Sequence, residues 1–264
     1  MAEKEKSMNY IAAYHTDVGL TKKTNQDSLG IKIAETDSGQ AAFGVVCDGM
    51  GGLSKGELAS KEVILAFMNW FDRVFMESAC SGEYDTSKIN EEWNEIIQRQ
   101  NKSLGQFGKE HDLQLGTTIS AILLYKGRYY IVHVGDSRIY QLSGSNAFLL
   151  TNDQTFIARE IAAGRMTVEQ SKTDPRRSVL LQCVGASEIV EPEFSTGIIF
   201  PDTTYMICSD GFRHQISEEE MISKIGPQNA SDEKSMKDGC VYLTQLVKER
   251  RETDNITVGL IKTV

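Results

Sequence analysis

Ile119-Ser-Ala-Ile-Leu-Leu-Tyr125, Lys126-Gly127, Tyr129-Tyr-Ile-Val-His-Val134 and Arg138-Ile-Tyr-Gln-Leu142 follow one another with little between them. Valine, isoleucine and aromatic side chains fill the three longer runs, and Gly, Asp or Ser stand at their borders, as they do around strands. Lys126-Gly127 is short enough for a hairpin turn. Strand directly after strand implies antiparallel pairing, because a parallel pair needs a long crossover.

Working outward, further strands are expected at Ala41–Cys47, Phe148–Thr151, Tyr205–Cys208 and Ile256–Ile261. Helices are expected at Gly56–Phe75, Asn90–Lys109, Thr155–Ala163 and Met236–Arg250; in the second, Trp93, Ile96, Ile97, Leu104 and Phe107 fall near one helical stripe. Strands cluster with strands and helices arrive apart from them, so the class is α+β. The polar stretches Glu77–Lys88 and Gly226–Asp238 read as surface loops.

A chain of 264 residues is long enough to bury one large core. The expected organisation is a flexible tail over residues 1–8 and a single domain over 9–264. The net charge is −9, and no lysine or arginine block stands out beyond short pairs such as Lys22-Lys23 and Arg250-Arg251, which argues against nucleic acid as a partner. Met1 to Asn9 lacks the apolar run of a signal peptide, and no later stretch reaches the length of a bilayer span. A soluble, cytoplasmic protein with no membrane partner is therefore expected, with monomer as the default. The five cysteines are odd in number and widely spaced, and Cys47 and Cys208 sit inside apolar runs; reduced thiols are expected.

Aspartates recur at the ends of apolar runs: Phe43-Gly-Val-Val-Cys-Asp48, Ile131-Val-His-Val-Gly-Asp136 and Tyr205-Met-Ile-Cys-Ser-Asp210, with Asp254 just before Ile256-Thr-Val-Gly-Leu-Ile261. Each alone is ordinary turn chemistry. Together, antiparallel sheets can bring such strand ends to one edge, and converging carboxylates repel unless cations fill the space between them. An all-oxygen donor set suits magnesium or manganese, whereas zinc wants His or Cys at short spacing, which His15, His111, His133 and His214 do not show. Two such ions can activate water and neutralise a transferring phosphoryl group.

The motifs run in a fixed order: Asp17-Val-Gly-Leu-Thr-Lys-Lys-Thr-Asn-Gln-Asp27, Val46-Cys-Asp-Gly-Met-Gly-Gly52, Gly56-Glu-Leu-Ala-Ser60, Gly116-Thr-Thr118, Val134-Gly-Asp-Ser-Arg138, Cys208-Ser-Asp-Gly211 and Asp254-Asn-Ile-Thr257. Over nearly its whole length the sequence resembles the bacterial form of the metal-dependent, type 2C serine/threonine protein phosphatases. The resemblance implies a four-layer sandwich of two central antiparallel sheets flanked by helices, with two manganese or magnesium ions at one edge. It implies that Asp48 bridges both ions, that the Gly49 carbonyl binds one, and that Asp210 and Asp254 complete the other. Asp27 is similar to the acid that holds metal-bound water, and Asp136 to the ligand of a third, weaker ion. A metal-bridging hydroxide would then attack the phosphorus of phosphoserine or phosphothreonine in other proteins, opposing a bacterial serine/threonine kinase in signalling.

Several positions depart from the family pattern. Lys22 stands where an arginine is usual; it keeps a charge for the substrate phosphate but loses the bidentate fork. Gln26 replaces an acid common before Asp27, and Gln154 replaces a histidine, leaving Asp153 beside it with a structural role. Ile157 to about Gly185 resembles a flap beside the active site, where Asp174-Pro175-Arg176-Arg177 adds two positive charges. These departures motivate one alternative, a pseudophosphatase that binds phosphoproteins without hydrolysing them.

Overall fold

The structure is a computed structural model that describes residues 8–50 and 55–264. The expected tail, apart from Met8, and Gly51 and Gly52 of the glycine-rich loop lie outside the described residues. The chain opens with β1 (Tyr10–Asp17), β2 (Asp27–Thr36) and β3 (Gly39–Met50). Then α1 (Gly56–Asn69) passes through a π-helical turn at Trp70–Phe75 into α2 (Met76–Ala79), and a 3-10 turn at Thr86–Lys88 leads into α3 (Ile89–His111). Strands β4 (Gly116–Thr117), β5 (Ile119–Tyr125), β6 (Arg128–Val134), β7 (Arg138–Ser143) and β8 (Asn146–Leu149) follow, then α4 (Phe156–Ala162) and α5 (Val168–Ser171). The last elements are β9 (Glu193–Ile198), β10 (Thr203–Cys208), α6 (Asp210–Arg213), α7 (Glu218–Ile225), α8 (Glu233–Glu249) and β11 (Ile256–Thr263).

The strands form two antiparallel sheets, in the orders β1-β11-β10-β7-β8 and β2-β3-β5-β6-β9, with β4 pairing the end of β3. Lys126 and Gly127 take the hairpin between β5 and β6 with φ of 48° and 69°, the left-handed pair a tight two-residue turn demands.

Side chains alternate faces along a strand, and here both faces are covered. In β3 and β5, Phe43, Val45, Leu123 and Tyr125 meet Val63, Phe67, Trp70 and Trp93 of the outer helical layer. Their neighbours Ala42, Val46, Ile122 and Leu124 face Tyr205, Ile207 and Ile261 of the other sheet. On that sheet's far side, Met206, Val258 and Leu260 pack on Met221, Leu243 and Val247 of α7 and α8. The result is four layers, helix–sheet–sheet–helix. Double coverage also explains why β5 is buried at every position and, apart from Ser120, reads as an apolar run.

Some expectations shift. The strand expected at Phe148–Thr151 lies at Asn146–Leu149, and Thr151 instead accepts the Ile139 N–H on its hydroxyl. Glu77–Lys88 is only partly loop: it holds the end of α2 and a 3-10 turn, and Tyr84 is buried with its hydroxyl on Glu92 (2.8 Å). Gly226–Asp238 contains the first turns of α8, whose N-terminus is capped by the Asp232 carboxylate on the Ser235 N–H. All five cysteines are free thiols, four of them buried. No helix among the described residues is long and apolar enough to cross a membrane.

Candidate active site

Strand ends from both sheets meet at one edge. Asp27 opens β2 directly opposite Asp48 near the end of β3. Asp136 sits in the turn between β6 and β7, Asp210 begins α6 just after β10, and Asp254 precedes β11, the partner of β10. Asp48, Asp136, Asp210 and Asp254 line one cavity of about 310 Å³ together with Lys22 and Gly49, while Asp27, paired with Asp48 across the strands, is not part of the lining. A larger open groove of about 1120 Å³ runs between α3 and residues 185–188, but its charged side chains, Lys102, Lys109, Asp112 and Glu188, are of mixed sign, and it holds no comparable set of acids.

The backbone around the acids is tightly held. The Asp48 N–H donates to the Thr118 hydroxyl (2.9 Å), and the Asp48 carbonyl accepts from the Thr118 N–H and the Thr117 hydroxyl (both 2.9 Å). Gly49 has no room for a side chain, because a Cβ would lie 2.2 Å from the Gly56 carbonyl oxygen and 2.6 Å from that of Gln26. Asn255 ties the N-terminal loop to β11: its Oδ1 accepts from the Gln26 N–H, and its Nδ2 donates to the Val18 and Thr24 carbonyls. Asp27 accepts from the Ser209 hydroxyl (2.7 Å).

Electrostatically the cluster is short of cations. Burial pushes the Asp48 carboxyl well above the ordinary carboxylate range, and the charges of Asp27, Asp210, Asp136 and Asp254 push it further. Burial raises Asp27 and Asp136 each to about 7; Asp210 adds repulsion at both, and Arg213 relieves it in part at Asp136. Lys22 is the cation these acids share. Burial opposes its charge, but the ammonium lies 2.8 Å from Asp254 Oδ1 and is attracted by Asp48 and Asp210, which raises its pKa. The lysine expected to meet substrate phosphate thus lines the cavity with its charge already engaged.

Among the described residues no three His, Cys, Asp or Glu side chains stand close enough together to form a finished metal site. The chemistry nevertheless fits hard divalent cations. Asp27 Oδ1 and Asp210 Oδ1 are buried and make no hydrogen bond among the described residues, and four carboxylates share one cavity with a single lysine. Buried acceptors of one sign without donors are what such ions satisfy.

Three supporting residues escape a reading by motif. His214 places Nε2 3.6 Å from Asp210 Oδ2 and Nδ1 3.5 Å from Glu252 Oε2. Burial opposes its protonation, but Glu252 and Asp210 outweigh that and raise its pKa. Glu252 also accepts the Thr253 and Asp254 N–H groups on Oε1, so one carboxylate braces the turn that carries Asp254. Arg213 donates to the Asp136 carbonyl (3.0 Å) and to Asp153 (3.3 Å), and Asp153 also takes a two-pronged bond from Arg138 (2.7 and 2.8 Å). One legible signal was the four-residue step from Asp210 to His214, neighbours on a helical face. In the expected flap, Arg176 is bound to Asp174 and lies over the Phe156 ring at 4.2 Å, while Ser178 and Leu180 reach the cavity wall.

A family model described as protein phosphatase 2C matches residues 15–237. The chain belongs to that family. Of the cavity-lining aspartates, only Asp254 falls beyond the matched span, together with its supporting Glu252. A putative protein phosphatase 2C-type of Streptococcus pyogenes is 28% identical over 249 residues, 93% of this chain and 94% of that protein. The serine/threonine phosphatase of S. agalactiae superposes with a TM-score of 0.80 at 25% identity, covering 96% of this chain and 99% of that one. The catalytic domain of the serine/threonine protein phosphatase PstP, solved in complex with two manganese ions, gives a TM-score of 0.79 at 26% identity over 98% of this chain and 100% of its own. The two-sheet α+β architecture is therefore that of protein phosphatase 2C.

Proposed function

We propose that this chain is a metal-dependent phosphatase of phosphoserine and phosphothreonine in other proteins, with residues 9–264 acting as one catalytic domain. The observation that carries the reading is the ring of Asp48, Asp136, Asp210 and Asp254 around one cavity, in a chain of the protein phosphatase 2C family. Asp48, the Gly49 carbonyl, Asp210 and Asp254 would hold two manganese or magnesium ions, with Asp136 toward a third and Asp27 orienting the water of the site. Such ions, when bound, supply Lewis-acid stabilisation of the phosphoryl charge and activation of water.

The chain's own residues do the rest. Thr117 and Thr118 fix the main chain of Asp48, Ser209 holds Asp27, and Glu252 with His214 steadies the approach of Asp254 and Asp210. Lys22, which lines the cavity beside Asp254, would meet a substrate phosphate as a point charge. The same reading takes the protein to act on phosphoproteins in the cytoplasm as a monomer, opposite a serine/threonine kinase. The relatives carry phosphatase names, which favours catalysis over the binding-module alternative.

The test is phosphate release from a phosphothreonine peptide after chelation and after manganese is restored. Turnover that disappears with chelator and returns with manganese supports the proposal. Manganese-independent turnover, or tight peptide binding without turnover, contradicts it.

A further inference from the structure

After Thr155 the chain leaves the sheet edge through α4 and α5 and returns along Ser178–Cys183, bringing Ser178 and Leu180 to the cavity. Gln154 joins two pieces of chain where this excursion begins and ends. Its N–H donates to the Gly135 carbonyl (2.7 Å), and its Oε1 accepts from the Gly135 N–H (2.9 Å). Both main-chain polar groups of Gly135, a glycine at φ 109° immediately before Asp136, therefore end on one residue. The Gln154 carbonyl accepts from the returning Leu181 N–H (2.8 Å), and the same Oε1 accepts from Gln182 Nε2 (2.8 Å). Gln182 is itself held to Glu191 by a pair of 2.8 Å bonds, one in each direction.

We propose that Gln154 is a positioning residue that fastens the returning flap to the turn carrying Asp136, and so sets how well a phosphorylated polypeptide is handled relative to a small phosphate ester. The proposal rests on the phosphatase reading above. An amide oxygen has two lone pairs and takes the Gly135 and Gln182 donors at once, whereas a neutral imidazole offers one acceptor nitrogen. A histidine at 154 can keep only one of those two bonds, so the double link needs the amide. Ser178 and Leu180 line the cavity, so a polypeptide extending from a phosphate seated there has more chain to set against the flap than a small ester has.

Gln154→Leu and Gln154→His, with Gln182→Leu approaching the same link from the flap side, form the test, read by amide hydrogen exchange over residues 178–183 and by kcat/KM for a phosphothreonine peptide against a small aryl phosphate. Gln154→Leu is expected to speed exchange there and to lower the peptide-to-ester ratio by about fivefold, the order one neutral hydrogen bond contributes. Gln154→His should fall between it and the unmutated protein. Gln182→Leu should lower the ratio as well, and adding it to Gln154→Leu should lower it no further, because the two share one bond. Unchanged exchange with an unchanged ratio, or effects that add fully, would overturn the proposal. Should the unmutated protein hydrolyse neither substrate, the phosphatase reading fails, and exchange over 178–183 alone decides whether Gln154 is the link.

Discussion

Strand β3 holds two regions that follow opposite rules. From Ala41 to Cys47 every side chain is buried in apolar company; Phe43 stacks on Phe71 at 5.3 Å and lies 6.2 Å from Trp93. Some polar atoms in this half find partners, as Trp70 Nε1 and the Tyr84 hydroxyl do on Glu92 at 2.8 Å, while Trp93 Nε1 and the Tyr125 hydroxyl, both neutral, make no hydrogen bond among the described residues. One residue past Cys47, Asp48 enters a ring of like charges with a single lysine among them. The first region buries apolar surface with no charge set against charge, and it contributes stability. The second is left frustrated, and frustration of that kind is what a functional site keeps for its ligand.

Substitution should separate the two. Asp48→Asn takes one carboxyl out of the crowded acidic cluster, so phosphate release from a phosphothreonine peptide is expected to fall by about a thousandfold, while the metal-free protein melts at higher temperature by calorimetry. Trp93→Ala should do the reverse: it opens a cavity at a cost of about 3–5 kcal/mol in denaturant unfolding, yet leaves the manganese affinity of the folded protein unchanged. If both variants lose stability alike, the division drawn along β3 is wrong.

Acidity offers a finer test. The carboxyls of Asp27 and Asp136 are raised to about 7 in the folded chain, against an ordinary value near 3.8. Protonation thus favours the folded state. Their stabilising effect is complete below about pH 4 and is lost as pH rises through about 7. The melting temperature of the metal-free protein should fall across that window, and saturating manganese should flatten the slope. A slope unaffected by manganese would place the titrating groups elsewhere.

The smallest expected effect concerns Lys22. Its ammonium competes for the charge of Asp254, so Lys22→Met should tighten manganese binding by up to about fivefold, the range of a partly exposed ion pair, and Lys22→Arg should stay near the unmutated value. Calorimetric titration reads both, and weaker binding in Lys22→Met would contradict the competition.

Legibility in the sequence follows the same division. β5 and β6 were plain because burial on both faces makes them predominantly apolar and aromatic, broken only by Ser120, Arg128 and His133, and Asp48, Asp136 and Asp210 were plain because each ends a largely apolar run. β1, β2 and β9 were missed: their half-buried faces and polar residues, as in Glu193-Phe-Ser-Thr-Gly-Ile198, weaken any periodic signal. α7 was missed although Ser217 and Glu220 form a capping box at its start. The His214–Glu252 brace joins residues far apart in the chain, so only the folded structure brings them into one view.

The account turns on whether the acidic edge exists to hold divalent cations. Isothermal titration of the metal-free protein with manganese, alongside Asp48→Asn, tests this most directly. Two ions bound per chain, with the tight binding lost in Asp48→Asn, is the predicted result; no manganese uptake by the unmutated protein, with phosphate release persisting in chelator, would contradict it.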